Sequence, residues 1–230
     1  MRQIYLLWAS VRSEMLYKTY KHWISTSVNK ERVNVKVAVF DEAQKQMIDS
    51  YKMPNTDVIV VNDRVGYNYA MFKLTTSLEV NDEDIIICMS DDFFSPDNWD
   101  EYLDSKFQDW ENAIFLDDGY QSIEPHISEK DYNLTLACMT FACLKRINKV
   151  VAHPSYVHLW SDTEAFRNLK ELELLKDDRK EDNMLFKHKH YAFGFREQDQ
   201  YDNRNLKYYT QDFQNYAHRY NMPVEERIRV

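Results

Sequence analysis

Two adjacent carboxylates, Asp91 and Asp92, follow Ser90 directly after the apolar run Ile85-Ile86-Ile87-Cys88-Met89. Such a run predicts a strand buried on both faces, which puts the acids at its carboxyl end, where open α/β sheets bind ligands. Paired acids there need a counter-charge. A divalent cation supplies one: hard oxygen ligands suit Mn²⁺ or Mg²⁺, and the ion's other positions can hold the oxygens of a diphosphate. An isolated Asp-Asp serves equally as a helix cap or a solvated turn. Here the pair is followed by Phe93, Phe94, Pro96 and Trp99, then by Tyr102, Leu103, Phe107 and Trp110 at helical spacing, a compound signal.

Other side chains with chemical potential lie further on. His188 and His190 alternate, so on a strand both point to one face, where an imidazole can complete a metal shell or meet a diphosphate. One functional histidine is expected of the two, with the choice open; a solvated Lys-His-Lys-His run is the ordinary alternative. Asp162 opens a predicted helix, with Glu164 in its first turn, which is also the setting of an N-cap. His153 is expected to be hydrogen-bonded in the core, and His158 to help shape a pocket with Asp162. Trp160 can stack on a sugar or base, whereas Trp8, Trp23 and Trp110 are expected to pack. Arg12 is the expected phosphate or base contact of the first loop.

These residues must be positioned by a regular frame. Strands are predicted at 4–9, 33–40, 58–61 and 85–89, with helices at 13–28 (Ser13 as cap), 42–51 and 67–78, a β-α rhythm that implies a parallel sheet between helices. The rhythm then breaks. Strands are expected at 113–116, 134–139 and 184–190, and helices at 141–148, 163–175 and 199–220. The break suggests one domain, 1–230, with a nucleotide-binding half (1–92) and an acceptor-binding half (93–230) that ends in a helix.

Length and composition fit one soluble globular domain: 230 residues, 44% hydrophobic, with three Gly and five Pro, no repeat and no low-complexity tract. Mean hydropathy is -0.65, and no apolar run reaches the 18 residues of a membrane span. The short apolar N-terminus reads as a first strand rather than a signal segment. Cys88, Cys138 and Cys143 have no metal spacing and are expected to be buried thiols of a reducing cytoplasm. Net charge is -9 but unevenly spread: residues 81–131 hold 16 acids against Lys106 and Lys130, a local -14 that leaves +5 elsewhere. Residues 132–161 contain no acid, while Lys145, Arg146 and Lys149 fall within them, so an anionic ligand is expected on that face.

With the paired acids placed after the fourth strand, the chain resembles a family 2 glycosyltransferase of the GT-A fold over roughly 4–220. Ser90-Asp91-Asp92 resembles the family's DXD metal motif, though as Ser-Asp-Asp it leaves open which acid touches the ion. Ala9-Ser10-Val11-Arg12 is similar to the nucleotide-cradling loop, Asp41 to the acid that contacts the base, and Gly66-Tyr67-Asn68-Tyr69-Ala70 to the glycine-containing segment before the third helix. The stretch from His153 to Glu164 resembles the acceptor segment, with Ser161-Asp162 in place of the usual Glu-Asp pair, and 185–190 resembles the late strand near the metal.

The resemblance implies an α/β GT-A (Rossmann-like) fold and transfer of a sugar from a nucleotide-sugar, a UDP-sugar first, to an acceptor hydroxyl with inversion. It implies Asp162 as catalytic base; Ser10, Arg12, Asp41, Gly66, Asn68 and Asp91 on the nucleotide-sugar; and Asp92 with His188 or His190 on Mn²⁺ or Mg²⁺. His158, Trp160, Lys145 and Arg146 fall on the acceptor. Compact members carried by phages modify hydroxymethylated pyrimidines in DNA, so DNA is one expected acceptor, in a host cytoplasm, and a bacterial surface polysaccharide its rival; no membrane contact is expected. Two other classes stand beside it. A nucleotidyltransferase would show a Gly-rich phosphate loop, and a non-catalytic carbohydrate- or partner-binding domain would not need the acids.

Overall fold

Alternation within the first strand decides the architecture. In β1 (Ile4–Ala9) Leu7 and Ala9 join one buried apolar cluster and Ile4, Leu6 and Trp8 another, so the strand is covered on both faces. The computed structural model describes residues 2–62, 66–109, 112–119, 132–179, 184–191, 194 and 196–230. Trp110, expected to pack, lies outside them.

After β1 come α1 (Ser13–Thr26), β2 (Val33–Val39), α2 (Glu42–Ser50), β3 (Thr56–Val60), α3 (Tyr67–Thr76) and β4 (Ile85–Met89). Then follow β5 (Phe93–Phe94), α4 (Trp99–Asp109), β6 (Ala113–Phe115), β7 (Ala137–Thr140), α5 (Phe141–Arg146) and α6 (Ser161–Glu171). The chain continues with β8 (Leu175–Asp177), β9 (Lys187–His188), α7 (Gln200–Leu206), α8 (Tyr209–Arg219) and α9 (Val224–Arg227). One sheet runs in the order β3-β2-β1-β4-β7-β6-β8, and β5 pairs with β9 in a small second one. β3, β2, β1 and β4 are parallel, β7 is antiparallel to both β4 and β6, and β8 is parallel to β6. This is the expected α/β architecture.

Helices cover both faces. On the Trp8 side α1, α2 and α4 contribute Leu16, Trp23, Ile48, Trp99 and Phe107; on the Leu7 side α3, α5 and α6 contribute Met71, Leu144, Phe166 and Leu169. Register sets the site: Ile4 lies opposite Ile85 and Trp8 opposite Met89, so β1 and β4 end level with one another. Strand order reverses between them, since β2 and β3 lie to one side of β1 and β4 to the other. Such a switch point leaves a crevice beyond the strand ends.

Three expectations of local structure change. Arg12, not Ser13, occupies the cap position of α1, and no side chain caps it. The single late helix is two, α7 and α8, followed by α9. The strand expected at 184–190 shrinks to Lys187–His188.

Candidate functional site

The loop after β4 is held by its carbonyls. Trp8 Nε1 donates to the Ser90 carbonyl (3.2 Å), Thr19 Oγ1 to that of Asp91 (2.6 Å), the Lys189 amide to that of Asp92 (2.9 Å) and Trp23 Nε1 to that of Phe93 (2.9 Å). His22 Nε2 meets the Ser95 carbonyl at 2.8 Å. Thr19, His22 and Trp23 all lie on α1, so this helix fixes the loop while its apolar side packs on the sheet.

Asp91 and Asp92 are each 2% exposed, and they face different partners. Asp91 accepts from the Ser10 hydroxyl and from Arg12, whose Nε lies 3.2 Å from Oδ2. Asp92 accepts from Ser90 Oγ, stands 3.2 Å from His188 Nε2, and lies within 3.9 Å of Arg12 and 3.6 Å of Arg196. Burial and the neighbouring Asp92 push Asp91 up against the pull of Arg12. At Asp92 burial acts the same way, but the hydrogen bond and charge of His188 outweigh it and hold the carboxyl below the ordinary range. His188 stacks on Phe93, ring centres 4.1 Å apart, because β9 pairs with β5 in that register. The ring of His190 lies 5.1 Å from that of His188, and burial with the His188 charge brings its pKa down to about 4.

Asp92 and His188 therefore face each other in a way that would suit a divalent ion. Among the described residues no three His, Cys, Asp or Glu side chains group to hold one. Two protein ligands with phosphate oxygens and water completing the shell is a normal arrangement for Mg²⁺ or Mn²⁺.

On the far side lies Asp162, the second residue of α6. Burial pushes its carboxyl up, while the amide of Thr163, which donates to Oδ1 at 2.9 Å, and its own amide pull it down. The turn before α6 is held by Asp212, fully buried on α8, whose carboxylate accepts the amides of Val157, His158 and Leu159, each at 2.9 Å. Gly66 permits the same turn to approach α3: its φ is +123°, and a Cβ there would stand 2.4 Å from the Val157 carbonyl oxygen. Asn68, fully buried, accepts from Ser161 Oγ at 2.6 Å and ties α3 to the start of α6.

Two cavities meet here. One, of about 60 Å³, is bounded by Ser10, Arg12, Phe40, Asp91, His158 and Tyr201. The other, of about 250 Å³, reaches from Arg12 and Asp92 past His188 and His190 to His158 and Asp162. The structure thus brings Ser10, Arg12, Asp91, Asp92, His188, His190, His158 and Asp162 together. A larger groove of about 580 Å³, at the amino-terminal ends of the strands, contains none of these candidates.

Other expected residues lie elsewhere or are otherwise engaged. Lys145 and Arg146 are a correction: because β7 runs antiparallel to β4, α5 leaves the sheet at the amino-terminal end of β4, away from Asp91 and Asp92. There Lys145 pairs with Asp82 (2.5 Å), Arg146 bonds Asn112 (3.0 Å), and Lys149 pairs with Glu79 (2.8 Å). Asp41 caps α2, accepting the Gln44 amide at 2.7 Å, beside Phe40 of the smaller cavity. Trp160, at φ +68°, turns its ring onto α8, stacked on Tyr216 at 5.3 Å. His153 bonds Ser155 and the Arg229 carbonyl, as a structural histidine does.

Sequence reasoning missed the segment before α7. Arg196 bonds Asp202 (2.6 Å) and Arg12 bonds Asp199 (3.3 Å), which lays α7 over the Asp91-Asp92 pair. One cation among three acids, Arg196 with Glu197, Asp199 and Asp202, was its only trace in the sequence. Asp212 left none.

The geometry has relatives among solved structures. Over 84% of this chain and 63% of theirs it matches Staphylococcus aureus TarS 1–349, at TM-score 0.61 and 10% identity. A mannosyltransferase from Pyrobaculum calidifontis, solved with GDP-Man and Mn²⁺, matches at TM-score 0.57 and 10% identity over 79% of this chain and 56% of that one. A 4-diphosphocytidyl-2C-methyl-D-erythritol synthase from Anaerococcus prevotii matches at TM-score 0.55 and 10% identity, over 84% and 94%. No protein-family model and no curated protein matches the sequence. The chain spans 56% and 63% of the two longer neighbours, and it shares with them the GT-A fold.

Proposed function

We propose that this protein is a glycosyltransferase that moves a sugar from a nucleotide-sugar to an acceptor hydroxyl. The observation that carries the reading is one cavity bounded at one end by Asp92 and His188 and at the other by the part-buried carboxyl of Asp162. On this reading residues 1–92 serve the donor and 93–230 the acceptor. Asp162 takes the acceptor proton, and a pKa raised by burial makes it a better base than an exposed acid. Arg12 and Arg196 face the departing diphosphate, while Ser10 and Arg12 hold Asp91 in place. Asp92 and His188 would hold Mn²⁺ or Mg²⁺, which when bound offsets the charge developing on that diphosphate. A single base on the acceptor side fits inversion.

Nucleotidyl transfer is the rival that the fold itself allows, since the synthase above shares it. Against it stands the first loop, Ala9-Ser10-Val11-Arg12, which has no glycine to cradle a triphosphate, in a chain with only three. The anionic-acceptor reading loses its motive with Lys145, Arg146 and Lys149 at the other end of the sheet, so hydroxymethylated DNA and a surface polysaccharide enter the test as equal acceptors. Among the described residues no helix is long and apolar enough to cross a membrane.

The deciding experiment incubates the protein with UDP-, GDP- and dTDP-sugars, with Mn²⁺, Mg²⁺ or EDTA, and with hydroxymethylated DNA or a bacterial surface polysaccharide as acceptor, and measures released nucleoside diphosphate. Diphosphate release that requires metal and is lost in Asp92→Ala is expected. Pyrophosphate release from a nucleoside triphosphate and a sugar phosphate would identify a nucleotidyltransferase instead.

A further inference from the structure

Four residues border both cavities of the site: Arg12, Tyr67, Ser90 and His158. They form the boundary across which whatever enters the smaller space faces whatever enters the larger. Arg12 is engaged with Asp91 and Asp199, and the Ser90 hydroxyl is given to Asp92. The Tyr67 hydroxyl has no hydrogen-bond partner among the described residues, yet it is not sealed in the core. A part-buried phenol in that state is unusual, because the hydroxyl of a buried tyrosine ordinarily finds a partner.

The backbone holds Tyr67 on both sides. It opens α3; just before it Gly66 approaches the Val157 carbonyl more closely than a Cβ would allow, and just after it the Asn68 amide donates to that same carbonyl at 3.4 Å. Asn68, expected on the nucleotide-sugar, is fully buried against Ser161 and borders neither cavity. Tyr67 is therefore the residue of this segment whose side chain reaches the crevice. Its ring meets that of His158 edge-on at 5.8 Å. Burial first, then Cys88, Asp162, Asp92 and Asp91, hold its pKa well above the ordinary phenol range, so the hydroxyl stays a neutral donor. The three carboxylates among these come from both ends of the site. A further anion is disfavoured beside them, whereas a neutral polyol is not.

We propose that Tyr67 binds the sugar in transit, its hydroxyl donating to one of the sugar's oxygens, and so takes part in selecting which sugar is moved. The inference rests on the transferase reading. On that reading the sugar's reacting carbon is bonded first to the diphosphate, at the Arg12 and Asp92 end, and then to the acceptor oxygen, at Asp162, so the sugar lies against residues that border both spaces. The phenol forms no covalent bond. It separates sugars that offer an oxygen at that point from those that do not, since a sugar lacking it leaves the hydroxyl unmet.

Tyr67→Phe tests this by removing the hydroxyl while keeping the ring and its contact with His158. Wild type and variant are titrated calorimetrically, in Mn²⁺, with UDP, GDP and dTDP and with UDP-glucose, GDP-mannose and dTDP-glucose. The variant should bind the bare diphosphate as wild type does and the matching nucleotide-sugar about 3- to 10-fold more weakly, the loss of one neutral hydrogen bond. Among monodeoxy forms of the sugar that binds, one should lose that same factor in wild type and nothing further in the variant. Thermal unfolding controls for a merely structural role. With no protein partner to lose, Tyr67→Phe should melt no lower than wild type, whereas a broken internal hydrogen bond would lower Tm by about 2–4 °C. Equal binding of the nucleotide-sugar by both proteins, an equal loss for the bare diphosphate, monodeoxy losses that are all the same in the two proteins, or a lowered Tm would overturn the proposal. So would normal nucleotide-sugar binding with a raised KM for the acceptor alone, which would put the hydroxyl on the acceptor. Nucleotide-sugar turnover that Tyr67→Phe leaves unchanged defeats this inference alone; a hydroxyl-dependent sugar contact without sugar transfer defeats the transferase and leaves the contact standing. Failure of wild type to bind any of the three nucleotide-sugars defeats both.

Discussion

Asp162 sits under two opposed influences, burial that favours its neutral form and two backbone amides that favour its charge. Burial prevails, so its carboxyl titrates above the ordinary value of about 4. As a base it works only when ionised. Activity should therefore fall as pH drops through that raised pKa, giving an acidic limb in kcat/KM above the usual carboxylate range. Asp162→Asn keeps the size and the Thr163 contact but cannot take a proton; it should cut kcat by about 10²-fold or more and abolish the limb, with little change in donor KM. A near-normal rate with lowered stability would show a helix-terminal role instead. The placing of Asp91 and Asp92 as a pair at the end of a buried strand was legible in the sequence, but their different surroundings were not. Only the convergence of Arg12 and Ser10 on one, and of His188 on the other, separates them.

At the scale of elements, β1 and β4 were readable to the residue because strands buried on both faces are continuous apolar runs. β8 was not: Leu175–Asp177 is short and partly exposed, and the helix expected over 163–175 took in its first residue. Strand direction was the costlier blind spot. An apolar stretch at 134–139 does not reveal whether it runs parallel or antiparallel, and that choice sends Lys145 and Arg146 to one end of the sheet or the other. The α7 segment yields a prediction of its own. Asp199, 3.3 Å from Arg12, occupies one of the guanidinium's faces where a phosphate oxygen would bind. Asp199→Asn should lower the donor KM, by up to several-fold, measured with kcat as control. A raised KM would mean that Asp199 helps the donor rather than competing with it.

For the molecule as a whole, long-range contacts bind the first turn of α6 to the last two helices. Glu164, 2% exposed on α6, accepts both Nε and the terminal nitrogen of Arg219 and the Tyr156 hydroxyl, and Arg219 donates on to the Arg227 carbonyl. Arg219→Met should cost about 3–5 kcal/mol in urea unfolding, because it leaves a buried carboxylate without its cation. A loss under about 1 kcal/mol would mean that water reaches the pair. No periodicity announces such a network, since its partners lie 55 residues apart.

That separation also orders the protein's synthesis. The His158 amide waits for the carboxylate of Asp212, 54 residues later, and at about 5–20 residues per second the wait lasts on the order of 3–10 s. The β1–β4 sheet can close on the ribosome well before then, whereas the amides of Val157, His158 and Leu159 have no carboxylate to donate to until α8 emerges. A nascent chain stalled near residue 180 would carry the crevice beyond β1 and β4 but not yet the carboxylate that holds the turn before α6.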